Sequence, residues 1–163
     1  FGLMTLSNEE EILTHKLLVG LGPEPLGNEF SGPYISEVLR GSKRSIKSAL
    51  MDQKVVSGIG NIYGSEALFR AGISPRRLAS NVSGIRAERL VIAVREVLTE
   101  AIESGGSTLK DYVQSDGELG YFQHKFAVYD REGQPCPGCN CSDGVQRITQ
   151  SGRSTFFCAQ KQR

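Results

Sequence analysis

Three groups of residues in this chain have the types and spacings to do chemistry. The first is the cysteines: all four, Cys136, Cys139, Cys141 and Cys158, lie in the last 28 of 163 residues. The opening residues Phe1–Leu6, followed by Asn8-Glu9-Glu10-Glu11, do not read as a secretory leader. Clustered cysteines in a chain read as intracellular point to a metal rather than to disulfides. Cys136-Pro-Gly-Cys139 is a knuckle that aims two thiolates at tetrahedral angles, and a second hairpin should supply two more. The usual second pair would be Cys158 and a cysteine three residues later, but that position is Lys161. Cys141 is then the only cysteine left to act as a fourth ligand; if it falls short, three thiolates and a water remain. The expected ion is one structural Zn2+, folding a β-module too small for a core of its own.

The second group runs from Lys43 and Lys47 through Gly58-Ile59-Gly60 to Asn61. A Gly-x-Gly turn that opens a helix exposes the unpaired N–H groups of its first turn, a ready anion site. Lys43 and Lys47, four apart, share a face if both are helical. Together these make a clamp for a phosphodiester backbone, fixing position without reading sequence. The same residues also fit a tight helix–turn–helix corner with a capping asparagine. Glu66 shares a helical face with Ile62 and Phe69, and a carboxylate there reads as structural or supporting. The third group is Gln150-Ser-Gly-Arg153, a hairpin turn with an arginine at its tip, suited to bidentate grip on a phosphate or simply exposed.

These residues need positioning elements. Pro33 suits the first turn of a helix with Tyr34, Ile35, Val38 and Leu39 inward. Further helices are expected over 44–51, 61–71 and 84–104, the last from Ala87, Leu90, Val91, Val94, Val97, Leu98, Ala101 and Ile102 at helical spacing. A short strand and turn over 1–8 and a short helix over 9–19 precede them. After residue 106 come a polar, glycine-bearing loop (Gln114 to Gly120) and β-like runs at Phe126–Tyr129, Val145–Thr149 and Thr155–Cys158. The expected architecture is mostly α: four helices in an all-α unit over 33–104, followed by a β-hairpin module that carries the cysteines.

Net charge is +1, from 19 Lys plus Arg against 18 Asp plus Glu, so bulk charge cannot drive nucleic-acid binding. The charge is uneven, however. Residues 40–54 carry five bases against Asp52, and residues 124–163 carry six against three acids, which suits a one-sided anionic partner. No apolar run approaches the roughly 18 residues needed to span a bilayer.

Taken together, the motifs resemble the bacterial formamidopyrimidine-DNA glycosylases. The matching stretches are Phe1-Gly2, Leu21-Gly-Pro-Glu-Pro-Leu26, Met51-Asp-Gln-Lys54 through Gly58-Ile-Gly-Asn-Ile-Tyr63, and Ser65-Glu66-Ala-Leu-Phe69. They continue through Ala71-Gly-Ile-Ser-Pro75, Thr108-Leu-Lys-Asp-Tyr112, Gln114-Ser-Asp-Gly117 with Gly120-Tyr-Phe122, and the cysteine hairpin. The resemblance implies four segments: 1–32 as a linker after an N-terminal β-sandwich, 33–112 as the DNA-binding helix–two-turn–helix domain, 113–124 as a loop that caps the lesion, and 125–163 as the zinc finger.

By the same resemblance, Lys43, Lys47 and Asn61 hold phosphates flanking the lesion. Phe1 wedges into the duplex where the damaged base leaves the stack. Tyr121 lies in the tail of the capping loop. Arg153 grips DNA and is the proton donor of δ-elimination, and Glu66 lies near the reaction centre. The implied activity is base-excision repair of oxidised purines such as 8-oxoguanine, by base flipping, N-glycosidic cleavage and abasic-site β,δ-elimination. The partner would be double-stranded DNA with an oxidised base or abasic site, bound by a monomer in the bacterial cytoplasm, at the nucleoid. The family's proline nucleophile lies in the β-sandwich and is not in this sequence, so the chain alone is expected to be inactive. A non-catalytic damaged-DNA-binding module is the alternative, and the Gln-Ser-Asp-Gly loop argues against the oxidised-pyrimidine endonuclease VIII branch.

Overall fold

The computed structural model describes residues 4–107 and 120–163. Phe1 and most of the expected capping loop therefore lie outside the described residues. Among the described residues, five α-helices follow one another: α1 (Glu9–Thr14), α2 (Gly32–Val38), α3 (Ile46–Leu50), α4 (Asn61–Ala71) and α5 (Ile85–Glu103). A hairpin of β1 (Gln146–Gln150) and β2 (Arg153–Phe157) closes the chain. No helix among the described residues is long and apolar enough to cross a membrane.

Local chemistry sets the helix ends. Asn8 and Glu11 form a reciprocal capping box at α1. Ser31 caps α2 by accepting from the Tyr34 N–H, and Ser45 caps α3 by accepting from Ser48. Gly72, at φ +69°, ends α4 in the left-handed conformation that glycine adopts without strain. The long α5 buries Ala87, Leu90, Val91, Val94, Val97 and Ala101 on one side, and α2 and α4 pack against it.

The main core gathers Phe30, Ile35, Leu39, Leu50, Val56, Leu68, Leu90 and Phe122. Val38 departs from the expected pattern, being 38% exposed. The segment before α2 is part of this body. Gly22 donates to the Gln53 carbonyl at 2.7 Å and lies so close to the 55–56 backbone that a Cβ would sit 2.5 Å from the Val55 carbonyl carbon. Phe122, at the end of the segment expected to cap the lesion, is buried between Tyr63 and Phe126.

A second, smaller cluster joins Phe69 of α4 to Val128, Cys136, Val145, Phe156 and Cys158, so the hairpin module is seated on α4. The two strands are antiparallel, with Gln146 opposite Phe157 and Gln150 opposite Arg153. Ser151 and Gly152 make the turn at φ +49° and +74°, the paired positive angles of a tight hairpin.

Two expected elements differ. Residues 126–129 form no strand, and residues 4–8 form none. At 127–129 the reason is Glu66. Its carboxylate, 3% exposed, accepts the N–H groups of Ala127, Val128 and Tyr129 at 2.9, 2.9 and 2.8 Å. The backbone donors that a ladder would use go to this side chain instead.

Candidate nucleic-acid interface and metal centre

Helix α3, the turn 51–60 and helix α4 bring the first basic group against the hairpin tip. The turn is braced from within: Gln53 Oε1 accepts the Gly58 N–H at 2.7 Å, and its Nε2 donates to the Ile59 carbonyl at 3.3 Å. Gly58, at φ +76°, makes the reversal. Gly60, not Asn61, is the N-cap of α4, and it provides no side-chain cap. The first-turn N–H groups of this helix therefore have no partner among the described residues.

Asn61, freed from capping, is a junction. Its Oδ1 accepts from Lys47 Nζ, while its Nδ2 donates to the Ser154 carbonyl at 3.0 Å and reaches the Tyr129 hydroxyl at 3.4 Å. Lys47 is 1% exposed and also donates to the Thr155 hydroxyl at 3.0 Å. Burial first, and the nearby Arg153 second, lower its pKa to about 8. Arg153 opens β2 and is exposed. Lys47, Ser48, Met51, Asp52, Gln150, Ser151 and Arg153 line one cleft of about 210 Å³. Its only acid among these lining residues, Asp52, is paired with Arg44 at 2.7 Å, a hydrogen bond that holds the carboxyl below the usual carboxylate range.

The tip itself is fastened to the helical body. The Ser48 and Ser151 hydroxyls are hydrogen-bonded at 3.0 Å, and Gln150 Nε2 donates to the Pro75 carbonyl at 3.1 Å. Lys47, Asn61 and Arg153 are thus brought together, whereas two other expected residues are placed differently. Lys43 is exposed and precedes α3 rather than sharing its face. Residues 44–46 are held extended against 77–79: Ile46 donates to the Arg77 carbonyl at 2.7 Å and Ala79 to the Arg44 carbonyl at 2.9 Å. That pairing delays the helix to Ile46. Tyr121 is 60% exposed, its N–H bonded to the Ser104 carbonyl at the C-terminal end of α5, and it is not among the residues that line the cleft.

Sequence reasoning missed Thr155, Ser48 and Tyr129. Thr155 had a signal: it lies two residues beyond Arg153, a spacing that puts both on one face of a strand.

The cysteines also converge. The four sulfurs of Cys136, Cys139, Cys141 and Cys158 all lie within 4.8 Å of one another. Cys158 is 3.5 Å from both Cys139 and Cys141. A zinc tetrathiolate with bonds of about 2.3 Å has edges of about 3.8 Å, so the cluster has the size and the donor chemistry for such an ion. Burial alone would raise the Cys158 thiol, but hydrogen bonds from the Lys161 amide and from the neighbouring thiols bring it down to about 7. Cys141, hydrogen-bonded to Cys139, is pushed up to about 12.

Residues 21–113 match the family model of the formamidopyrimidine-DNA glycosylase H2TH domain. Over its whole length the chain is 62% identical to a formamidopyrimidine-DNA glycosylase of Rhodospirillum centenum and 59% identical to one of Rhodospirillum rubrum. It spans 58% and 59% of those proteins' lengths. Among solved structures, MutM (Fpg) of Thermus thermophilus superposes with a TM-score of 0.85 at 48% identity, covering 93% of this chain and 57% of that one. Fpg of Lactococcus lactis, in complex with abasic-site DNA, superposes with a TM-score of 0.84 at 33% identity, covering 95% of this chain and 56% of that one.

Proposed function

Because the chain belongs to the formamidopyrimidine-DNA glycosylase H2TH family, we propose that it is the DNA-gripping part of a base-excision repair glycosylase and abasic-site lyase. Its partner is duplex DNA carrying an oxidised purine or an abasic site. The observation that carries this reading is the convergence of Lys47 and Arg153 from two separate modules on one cleft, with Asn61 bonded both to Lys47 and to the β2 backbone.

A phosphate seated there meets the ammonium of Lys47 and the guanidinium of Arg153, and the unpaired N–H groups at the start of α4 offer a separate anion site. Asn61 acts mainly by holding Lys47 and the β2 backbone in one frame. Lys43, exposed on the approach to α3, adds a looser phosphate contact. Phe1 and Tyr121 would serve at the extruded base, Tyr121 from the closing end of the segment that follows α5. Abasic-site DNA in the Lactococcus lactis complex is a ligand of the same chemical class.

The resemblance assigns Arg153 the proton-donor role in δ-elimination, and its guanidinium presents N–H donors and no acceptor. It is therefore suited to hydrogen-bond the departing phosphate as its charge grows.

The residues that would hold the zinc ion are Cys136, Cys139, Cys141 and Cys158. When bound, the ion supplies a fixed tetrahedral crosslink between the two halves of the hairpin module. The module's own contribution is Val128 and Phe156 packed against Phe69 of α4, which sets where the tip stands.

The test is binding and trapping with a duplex containing 8-oxoguanine, an abasic analogue or neither. Fluorescence anisotropy should report tighter binding to the two damaged duplexes, weakened by Arg153→Ala and by Lys47→Met. Borohydride should trap a covalent adduct only when the family's proline nucleophile is supplied in the same polypeptide. Equal affinity for all three duplexes, with both variants unchanged, would overturn the reading.

A further inference from the structure

Lys161 stands where a second Cys-x-x-Cys knuckle would carry its closing thiolate. The backbone nonetheless keeps a knuckle turn. The Lys161 N–H donates to the Cys158 sulfur. Gln162 ties the turn down: its N–H donates to the Cys158 carbonyl at 3.0 Å, its Oε1 accepts the Cys158 N–H at 2.8 Å, and its Nε2 donates to the Ile73 carbonyl at 2.9 Å.

From this fixed turn the lysine side chain runs across the first knuckle. A Cβ added to Gly138 would lie 2.4–2.8 Å from Lys161 Cδ, Cε and Nζ, so the absence of a side chain at 138 makes the path. The ammonium ends 5.0 Å over the ring of Phe69, which packs in the same cluster as Cys136 and Cys158. No carboxylate among the described residues pairs with it. Two other cations of the module are engaged elsewhere: Arg147 with Glu132 at 3.6 Å, and Arg131 with Gln134 and the Phe126 carbonyl.

Four thiolates around a divalent cation leave a net charge of −2, and low-dielectric surroundings make that excess costly. We propose that Lys161 is a positioning residue of this metal site: its ammonium offsets the excess charge of a Cys136, Cys139, Cys141 and Cys158 tetrathiolate and clasps the two knuckles, while Cys141 fills the corner a cysteine at 161 would have taken. The proposal rests on the reading that the four cysteines hold zinc.

The experiment measures zinc content and zinc release to a chromophoric chelator, with cobalt(II) spectra to count thiolate ligands. Wild-type protein should hold one zinc per chain and give a tetrathiolate cobalt spectrum. A wild type that takes up none overturns the underlying zinc reading. Lys161→Met keeps the stem over Phe69 but removes the charge. It should still hold one zinc and release it about 10-fold more readily, as loss of a supporting group around a metal does. Release equal to wild type overturns the role given to Lys161. Cys141→Ser should lose the tetrathiolate spectrum, and Cys141→Ser with Lys161→Cys should regain it. A tetrathiolate spectrum surviving in Cys141→Ser, or none returning in the double variant, overturns the exchange of corners. Far-UV circular dichroism checks that the helical body of each variant is folded.

Discussion

Replacing Glu66 by Gln changes one atom in a buried carboxylate and leaves its volume alone. Oε1 accepts the Val128 and Tyr129 N–H groups at 2.9 and 2.8 Å, and Oε2 accepts Ala127 at 2.9 Å. Glutamine keeps one oxygen, so two of these bonds survive as neutral ones. The amide nitrogen then faces the Ala127 N–H, donor against donor. Hydrogen bonds to a charged group contribute about 1.5–3 kcal/mol each, and an orphaned buried donor costs about 1–3 kcal/mol, so the expected loss is about 2–3 kcal/mol. For a chain of this size each kcal/mol moves Tm by about 2–4 °C. Thermal unfolding followed by circular dichroism should therefore show a fall of roughly 4–12 °C. Glu66→Ala, which orphans all three donors, should cost more. A Glu66→Gln protein within 1 °C of wild type would refute the claim that this carboxylate fastens the segment leading to the hairpin onto α4.

Lys47 makes a pH prediction. Its folded pKa of about 8 lies below the ordinary 10.5, so between those values the unfolded chain binds more protons and stability rises with pH. A bound phosphate restores the ammonium, so DNA binding should take up a proton above pH 8 and affinity should fall there with a slope approaching −1 in log K against pH; Lys47→Met should abolish that slope. Thr155→Val removes a buried acceptor 3.0 Å from Lys47 Nζ and should cost about 1.5–3 kcal/mol in urea unfolding, against near zero if the contact is idle. Gly22→Ala drives a methyl to 2.5 Å from the Val55 carbonyl carbon and should destabilise by about 1–3 kcal/mol, whereas an unchanged midpoint would mean the 22–23 segment is not packed as described.

The parts legible in the sequence were those whose signal is local. Apolar residues at helical spacing located α5, Ser-Gly located the hairpin turn, and Cys136-Pro-Gly-Cys139 located one knuckle. What escaped depends on partners far along the chain. Phe126–Tyr129 reads as a short β-like run, but Glu66, some 60 residues earlier, takes its donors. The shared face of Lys43 and Lys47 needed a helix reaching back past 44, and nothing nearby announces that 77–79 pairs with 44–46. Asn61 looked like a cap, yet its amide is spent on Lys47 and Ser154, the latter 93 residues away. The reach of Cys141 was undecidable from spacing alone, since Cys158 arrives on a different strand end.

The salt dependence of binding tests the two-module phosphate clamp most directly. Fluorescein-labelled duplex with a single abasic analogue is titrated with wild type, Lys47→Met, Arg153→Ala and the double variant over a range of KCl. Each lost phosphate contact should flatten the slope of log K against log salt by about 0.9, so the double variant should flatten it by about 1.8. A double variant with the wild-type slope would contradict the clamp.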